Sequence, residues 1–270
     1  MSFLSLVDNF PRIHKPSLEQ WNKIGPDMPF VITGIVSEWP GFKNWTVDYL
    51  KQKYGQLVIK VRDKRKGIYT SRKDVIANPG EPMLFMDYCD KIIESKDLTT
   101  RNYYMFERNP QDLPGLNNEF MVPSYIQNKC IYPGFWVSGK GAMTHLHYDR
   151  GHNLLAQVKG RKKLIIYRPN LSYFYPYPRS GVSQVDLENP NYDKFPKFRF
   201  AQPLVCDLEE GQLLYLPSCW WHQVYSVDVW NVSINFFWRP PLRYQLLHPG
   251  PSLRPYCIKF CEKVESLLKK

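Results

Sequence analysis

The sequence predicts a mainly β protein of the α+β class, built as a barrel or sandwich of short strands with flanking helices. Two observations lead to this prediction. After Gly134 the chain alternates short apolar runs with turn residues, a pattern typical of strands in a barrel or sandwich. Before Gly134, strand-like and helix-like patterns alternate. The 270 residues, 43% of them hydrophobic, are enough for one large domain whose barrel interior could hold a small ligand.

The N-terminal part, residues 1–132, is predicted to form strands and helices that pack on the barrel. Strands are predicted at Pro29–Val36, Gln56–Arg62 and Asn102–Phe106, and helices at Trp45–Tyr54 and Met83–Ile93. Gly55 closes the first of these helices, as glycine commonly does. Residues 110–128, rich in Pro, Asn and Asp, are predicted to cross the surface with one short helix.

The core is predicted to span residues 133–240. Its predicted strands are Phe135–Val137, Thr144–Asp149, Asn153–Val158, Lys162–Tyr167, Leu204–Leu208, Gln212–Leu216, Trp221–Ser226 and Val232–Trp238. The third and fourth of these are predicted to form a hairpin about the turn Lys159-Gly160. The insertion Arg168–Pro203, rich in aromatic residues and proline, is expected either to contact a macromolecular substrate at the mouth of the barrel or to pack as a structural flap. In the last segment, residues 241–270, a short amphipathic helix is expected at Tyr256–Leu268.

Composition limits the partners and the location of the protein. The formal charge of +11 favours an anionic partner, either nucleic acid or an acidic protein, with a merely solvated basic surface as the alternative. No apolar run approaches the roughly 20 residues that cross a bilayer, and the N-terminus does not resemble a signal peptide. The six cysteines form no Cys-x-x-Cys pair, so neither a disulfide framework nor a zinc site is predicted. We therefore expect a cytoplasmic or nuclear protein that is not secreted and does not enter a membrane.

Two histidines and one aspartate form a candidate metal site. His147 and Asp149 are two residues apart, so their side chains leave the same face of a strand. His222 follows 73 residues after Asp149, within another apolar, strand-like run. Two imidazoles and one carboxylate on one face of a metal form the facial triad of non-haem Fe(II) oxygenases. The alternatives are an ordinary hydrogen-bonded His–Asp pair and a His-x-His pair that uses His145 instead.

Lys162 is the candidate for binding an anionic co-substrate. It begins a strand in the predicted core, where an inward-facing cation would be costly unless it met an anion. A dicarboxylic acid would supply that anion and accept charge-assisted hydrogen bonds. The sequence therefore predicts that a small dicarboxylate binds beside the metal.

The core also resembles the JmjC-type 2-oxoglutarate oxygenases, a cupin family. The resemblance is carried by Thr144–Asp149, Asn153–Lys162, Tyr175–Pro178, Ser183–Pro196, Leu214–Pro217, Trp220–His222 and Asn235–Phe236. It implies a double-stranded β-helix, or jelly roll, in which His147, Asp149 and His222 bind Fe(II). It further implies that Lys162, with Tyr104 and Thr144, holds the distal carboxylate of 2-oxoglutarate. Asn153 and Asn235 match amides near the metal-chelating end of that co-substrate, or else cap strand ends.

Within that family the chain resembles in particular the asparaginyl hydroxylases that act on hypoxia-inducible factor. It departs from them at positions expected to recognise the target side chain. Gly181 and Val182 replace an Arg-Gln pair that orients the target amide, Arg150 replaces an acidic residue, and Phe237 replaces a tryptophan. The resemblance therefore implies an oxygenase and does not identify asparagine as the target.

The resemblance implies a dioxygenase that consumes O2 and 2-oxoglutarate, releases succinate and CO2, and hydroxylates a side chain of a protein substrate. An ankyrin-repeat-like protein is one expected partner, and a homodimer through the C-terminal helix is another expectation. The main alternative is hydroxylation of a transfer-RNA base, with RNA as the partner. Histone demethylation and a non-enzymatic cupin-like binding module are the remaining alternatives.

Overall fold

The computed structural model describes residues 6–24, 27–63, 80–94, 103–107, 112–129, 132–178 and 180–247. The strands within these ranges are β1 (Arg12–His14), β2 (Phe30–Thr33), β3 (Val58–Asp63), β4 (Glu81–Leu84), β5 (Tyr103–Glu107), β6 (Tyr132–Ser138), β7 (His147–Tyr148), β8 (His152–Lys159), β9 (Lys162–Tyr167), β10 (Leu204–Leu208), β11 (Leu213–Leu216), β12 (Trp221–Ser226) and β13 (Asn231–Trp238). The α-helices are α1 (Leu18–Ile24), α2 (Pro40–Asn44), α3 (Val47–Tyr54), α4 (Phe85–Glu94), α5 (Leu171–Phe174) and α6 (Leu242–Leu247). Short 3-10 helices lie at Val36–Glu38, Leu116–Asn118, Ser124–Ile126 and Pro196–Phe200.

The described strands form two sheets. The larger sheet has nine strands in the order β1-β2-β11-β8-β13-β6-β5-β3-β4, and the smaller has four in the order β10-β9-β12-β7. The N-terminal strands extend the larger sheet at both of its edges, so they share a sheet with the core strands. The two sheets face each other as a jelly-roll sandwich with flanking helices, which confirms the predicted fold class.

Side-chain alternation along the strands produces the layers of the molecule. On β8, Leu154 and Ala156 belong to the core between the larger sheet and the N-terminal helices, while Leu155 faces the space between the sheets. On β9, Leu164 faces that same space, and Tyr167 packs under the insertion that covers the smaller sheet. Both strands therefore have two covered faces, which explains their near-continuous apolar sequences.

The predicted hairpin of β8 and β9 is wrong. β8 pairs with β11 and β13, whereas β9 pairs with β10 and β12 in the other sheet. The turn at Gly160, with φ +69°, therefore carries the chain from one sheet to the other. A short turn between two apolar runs is compatible with either connection, and the choice depends on remote strands that cover both sides of each run.

Two other predicted elements differ in extent. The predicted strand Thr144–Asp149 is reduced to β7, of two residues, although Thr144 N–H still donates to the Val224 carbonyl on β12 at 2.9 Å. The predicted helix Met83–Ile93 begins only at Phe85, because Met83 and the residue after it pair with β3.

The insertion Arg168–Pro203 is packed rather than structureless. Its residues Phe174, Phe195 and Phe198 are buried in one cluster with Tyr167 and Trp221 of the smaller sheet. Phe174 stacks on Trp221 with ring centroids 4.9 Å apart. The buried side of the insertion therefore packs as a structural flap, which is one of the two expectations for this segment.

At the C-terminal end, α6 is a helix that the sequence did not predict. The helix predicted at Tyr256–Leu268 lies outside the described residues. In the part of the chain that is described, no helix is both long enough and apolar enough to cross a membrane.

Candidate metal and co-substrate site

The three predicted metal ligands meet between the sheets. One ligand atom from each of His147, Asp149 and His222 lies within 4.8 Å of the others. His147 is opposite His222 where β7 pairs with β12, and their ring centroids are 4.2 Å apart. Asp149 follows β7, and its Oδ2 is 3.7 Å from Nε2 of His222. Among the described residues this is the one cluster of three or more His, Cys, Asp or Glu residues suited to a metal ion.

Backbone carbonyls orient both imidazoles. Nδ1 of His147 lies 2.7 Å from the His145 carbonyl, and Nδ1 of His222 lies 3.0 Å from the Trp220 carbonyl. A carbonyl only accepts hydrogen bonds, so each Nδ1 carries the proton and each Nε2 keeps its lone pair for a metal. His145 thus contributes its carbonyl, and its imidazole is not part of the cluster.

Burial keeps His222 neutral. Its exposed fraction is 4%, and desolvation, with a smaller contribution from His147, lowers its pKa to about 4, although Asp149 acts in the opposite direction. A neutral imidazole is the form that binds metals. The site is therefore ready for a cation near neutral pH without first losing a proton from His222.

Lys162 is a buried cation in the same cavity. It is 5% exposed, and its Nζ donates to Ser226 Oγ at the long distance of 3.4 Å. No carboxylate of the described residues forms an ion pair with it, and burial alone lowers its pKa to about 8. Desolvation without a counter-charge is costly, so an anion brought into the cavity would gain a strong interaction with Lys162.

The cavity has a volume of about 430 Å³, which suits a small ligand beside a metal. The triad, Lys162 and the predicted residues Thr144, Asn153 and Asn235 all line it. Thr144 Oγ1 accepts from Val224 N–H at 3.0 Å, so its hydroxyl hydrogen is free to be donated. Asn153 Oδ1 is buried without a hydrogen-bond partner in the described structure. A buried amide oxygen without a partner supports a bound ligand here and argues against a role in capping a strand end.

The predicted residue Tyr104 is placed only by its backbone. It lies in β5 opposite Ser138 of β6, and its side chain is not among the described ones. The hydroxyl of Ser138 is 2.8 Å from that of Ser226, the residue that accepts from Lys162. The strand position of Tyr104 is therefore next to a residue that contacts the partner of Lys162, and its role toward the co-substrate stays a prediction.

A hydrogen-bond network that the sequence did not predict joins the two ligand-bearing segments. His152 Nδ1 accepts from Ser218 N–H at 3.1 Å and from Tyr215 Oη at 3.0 Å. Ser218 Oγ in turn donates to the Arg150 carbonyl at 2.9 Å, and Cys219 N–H donates to the Asp149 carbonyl at 2.8 Å. Burial lowers the pKa of His152 to about 4, so Nδ1 remains an acceptor at neutral pH. Nothing in the position of His152 along the sequence indicates this network.

Two of the four residues at which the chain departs from the asparaginyl hydroxylases, Gly181 and Val182, lie against β7. Val182 forms a β-bridge with His147, and the Gly181 carbonyl accepts from Tyr148 N–H at 3.0 Å. A Cβ atom on Gly181 would lie 2.9 Å from the Tyr148 carbonyl oxygen. This close approach of two backbones gives a local reason for glycine at position 181.

Several curated proteins are similar to this chain. A lysine-specific demethylase 8 of Xenopus tropicalis is 29% identical over 239 residues, covering 84% of this chain and 52% of the relative. Its counterpart of Danio rerio is 31% identical, covering 87% of this chain and 59% of the relative. A tRNA wybutosine-synthesizing protein 5 of Gallus gallus is 29% identical, covering 78% of this chain and 70% of the relative. The chain thus spans little more than half the length of these demethylases.

The profile of the cupin-like domain family matches residues 16–244. This range includes every described strand except β1, together with the triad, Lys162 and the cavity that they line. On the strength of that match over most of its length, the chain belongs to the cupin-like domain family.

Proposed function

We propose that the chain is an Fe(II)- and 2-oxoglutarate-dependent dioxygenase. One observation carries this proposal: a His-Asp-His facial triad shares a single cavity with a buried lysine that has no described carboxylate as a partner. The triad suits Fe(II), and the lysine suits one carboxylate of a dicarboxylic co-substrate. The similarity to JmjC-type oxygenases points to the same pair of ligands.

Each site residue has a role in this proposal. His147, Asp149 and His222 would hold Fe(II), which supplies O2 activation coupled to the conversion of 2-oxoglutarate into succinate and CO2. Lys162 would hold the distal carboxylate together with Thr144 and Tyr104. Asn153 and Asn235 would donate to or accept from the other end of the co-substrate. The walls that the two sheets give the cavity would hold the target C–H bond beside the iron.

For the substrate, we favour a base of transfer RNA. The formal charge of +11 suits an anionic macromolecule, and a tRNA wybutosine-synthesizing protein is among the relatives. A protein side chain is the second candidate, because relatives named lysine-specific demethylase match at similar identity. Within that second class, Gly181 and Val182 give no support to the asparagine specificity of the hydroxylases that act on hypoxia-inducible factor.

The test measures succinate release from 2-oxoglutarate with Fe(II) in air. Bulk transfer RNA, histones and an ankyrin-repeat protein are added in separate reactions, and each macromolecule is then examined for added oxygen by mass spectrometry. Stimulation by transfer RNA with oxidation of a base supports the favoured substrate. Stimulation by a protein with an added oxygen or a lost methyl group supports the second candidate.

A matched pair of variants tests the iron assignment. Asp149→Ala removes one proposed ligand, and we expect succinate release to fall at least about a hundredfold, as for loss of a metal ligand or its support. His145→Ala removes a histidine of the same segment whose imidazole is outside the cluster, and most of the activity should remain. Full activity in Asp149→Ala would refute the metal site.

A further inference from the structure

We propose that an exposed aromatic and basic ridge on the insertion binds single-stranded RNA. The ridge consists of Tyr192, Lys194, Lys197, Arg199 and Phe200. This inference rests on the RNA form of the proposed function and extends it, since it assigns the surface that would hold the substrate outside the cavity.

The 3-10 helix Pro196–Phe200 lies at the centre of the ridge and places buried and exposed residues on different sides. Side chains three residues apart lie over one another in such a helix. Phe198 in the helix and Phe195 just before it are both buried, so they mark the side that packs on the smaller sheet. Lys197 and Phe200 are three apart and both exposed, so a cation and an aromatic ring lie together on an outward side.

The aromatic rings of the ridge are unusually open to solvent. Phe200 is 64% exposed and Tyr192 is 43% exposed. Tyr192 nevertheless has a fixed support, since it stacks on the buried Phe198 with an interplanar angle of 17°. Exposed rings that are held in place offer faces on which unpaired bases can stack.

The cations of the ridge are available to an outside partner. Residues 192–200 contain Lys194, Lys197 and Arg199 against one acid, Asp193. Elsewhere in the described structure the surface cations Lys15, Lys51 and Arg161 form ion pairs with carboxylates. For the three cations of the ridge, no carboxylate of the described residues lies within ion-pair distance. Lys194 does lie over the ring of Phe195, 5.2 Å from its centroid. Phosphates of a nucleic acid strand could therefore approach the three cations without displacing an internal carboxylate.

Hydrogen bonds connect the ridge to the segment that carries the proposed ligand His147. Lys197 N–H donates to Tyr175 Oη at 3.0 Å, and Gln184 N–H donates to the Tyr175 carbonyl at 3.1 Å. The adjacent Ser183 N–H donates to the Leu146 carbonyl at 2.8 Å, one residue before the proposed ligand His147. The insertion that carries the ridge is therefore joined to the segment that carries His147, which suits a surface that presents substrate to the proposed iron site.

The combination of groups favours single-stranded RNA over the alternatives. An acidic peptide would use the three cations and leave both exposed rings without a partner. Duplex nucleic acid would offer phosphates, but its bases are stacked on each other and closed to the rings. Unpaired RNA satisfies both kinds of group at once.

The test measures binding of a fluorescent poly-U RNA of about 12 nucleotides, within the usual site sizes for single strands. Fluorescence anisotropy with the full chain is recorded over a series of salt concentrations. Phe200→Ser should weaken binding roughly five- to tenfold through lost stacking. Lys197→Glu with Arg199→Glu should weaken it more and reduce the slope of log K against log salt by about 1.4, for two lost phosphate contacts.

A matched double variant controls for overall charge. Lys43→Glu with Lys60→Glu changes the net charge equally at two exposed lysines of the N-terminal half. If this pair weakens binding as much as the ridge pair does, binding follows net charge and the ridge proposal is wrong. If poly-glutamate competes with RNA while Phe200→Ser keeps full affinity, the ridge is a surface for acidic proteins and the proposal is likewise overturned.

The succinate assay separates this inference from the proposed function. RNA binding that depends on the ridge, without any turnover of 2-oxoglutarate, would uphold the ridge and refute the dioxygenase proposal. Turnover of 2-oxoglutarate without ridge-dependent RNA binding would uphold the dioxygenase proposal and refute the ridge.

Discussion

At the scale of single residues, Lys162 and His222 are buried although both can carry charge. Burial shifts the pKa of each downward, to about 8 for Lys162 and about 4 for His222. His222 is thereby neutral at pH 7 and suited to a cation, whereas Lys162 is still largely protonated and suited to an anion. One cavity thus contains a subsite that favours a cation and a subsite that favours an anion. Because both residues are buried, the difference between the subsites comes from the residue types.

Replacing Lys162 by methionine is expected to affect co-substrate binding and stability in opposite directions. The affinity for 2-oxoglutarate should fall at least about thirtyfold, because removal of one member of a buried charge pair costs ~2–5 kcal/mol. Metal affinity should change little. Isothermal titration with Mn(II) and with 2-oxoglutarate measures the two separately.

The ligand-free Lys162→Met protein should be more stable than the parent. The folded-state pKa of Lys162 lies below its unfolded value, so the cost of burying its charge is fully present below about pH 8 and disappears as the pH rises toward 10.5. That shift corresponds to at most about 3 kcal/mol at pH 7, measurable by urea unfolding. Lys163→Met is the control, because Lys163 faces the other way and pairs with Asp207 at 3.1 Å. It should leave 2-oxoglutarate affinity unchanged and lower stability.

At the scale of elements, the connection between β8 and β9 decides the architecture. These neighbouring strands belong to different sheets, and Gly160 between them has φ +69°. Its amide donates to Glu210, while the Trp230 carbonyl crowds the position of a Cβ atom. The crossing that places Asn153 and Lys162 on opposite walls of the cavity therefore depends on this turn.

Gly160→Ala should destabilise the protein more than Gly115→Ala does. Both glycines have positive φ, at +69° and +78°, so each substitution carries the ~1–2 kcal/mol cost of a left-handed conformation. A Cβ at residue 160 would also lie 2.2 Å from the Trp230 carbonyl oxygen, whereas at residue 115 the nearest neighbour is the flexible Lys53 side chain at 3.6 Å. Urea midpoints of the two variants test this, and equal losses would contradict the close contact.

At the scale of the whole molecule, two buried histidines make stability depend on pH. The pKa values of His152 and His222 are both lowered to about 4 by burial, below the 6.5 of an unfolded histidine. His222 is one of the three proposed metal ligands, and His152 joins the two segments that carry them. Protonation therefore acts against the fold and against metal binding together.

The metal-free protein should lose stability as the pH falls from about 6.5 toward 4. In that window the unfolded chain binds protons that the folded chain rejects, so unfolding becomes more favourable. At pH 5 the loss should be about 2 kcal/mol for each of the two histidines. Urea unfolding at pH 7 and pH 5 measures it. Added Mn(II) should stabilise the protein more at pH 7 than at pH 5, and equal stabilisation at both would argue against His222 as a ligand.

Features that depend on local chemistry could be predicted from the amino-acid sequence. Alternation along a strand placed His147 and Asp149 on one face, and the cost of burying an unpaired cation pointed to Lys162. The tertiary structure alone decided which strands became neighbours: it separated β8 from β9, brought His222 opposite His147, and recruited His152 to join the two ligand segments. The physical reason is that side-chain parity is a property of a strand alone, whereas strand pairing depends on which remote elements cover each face.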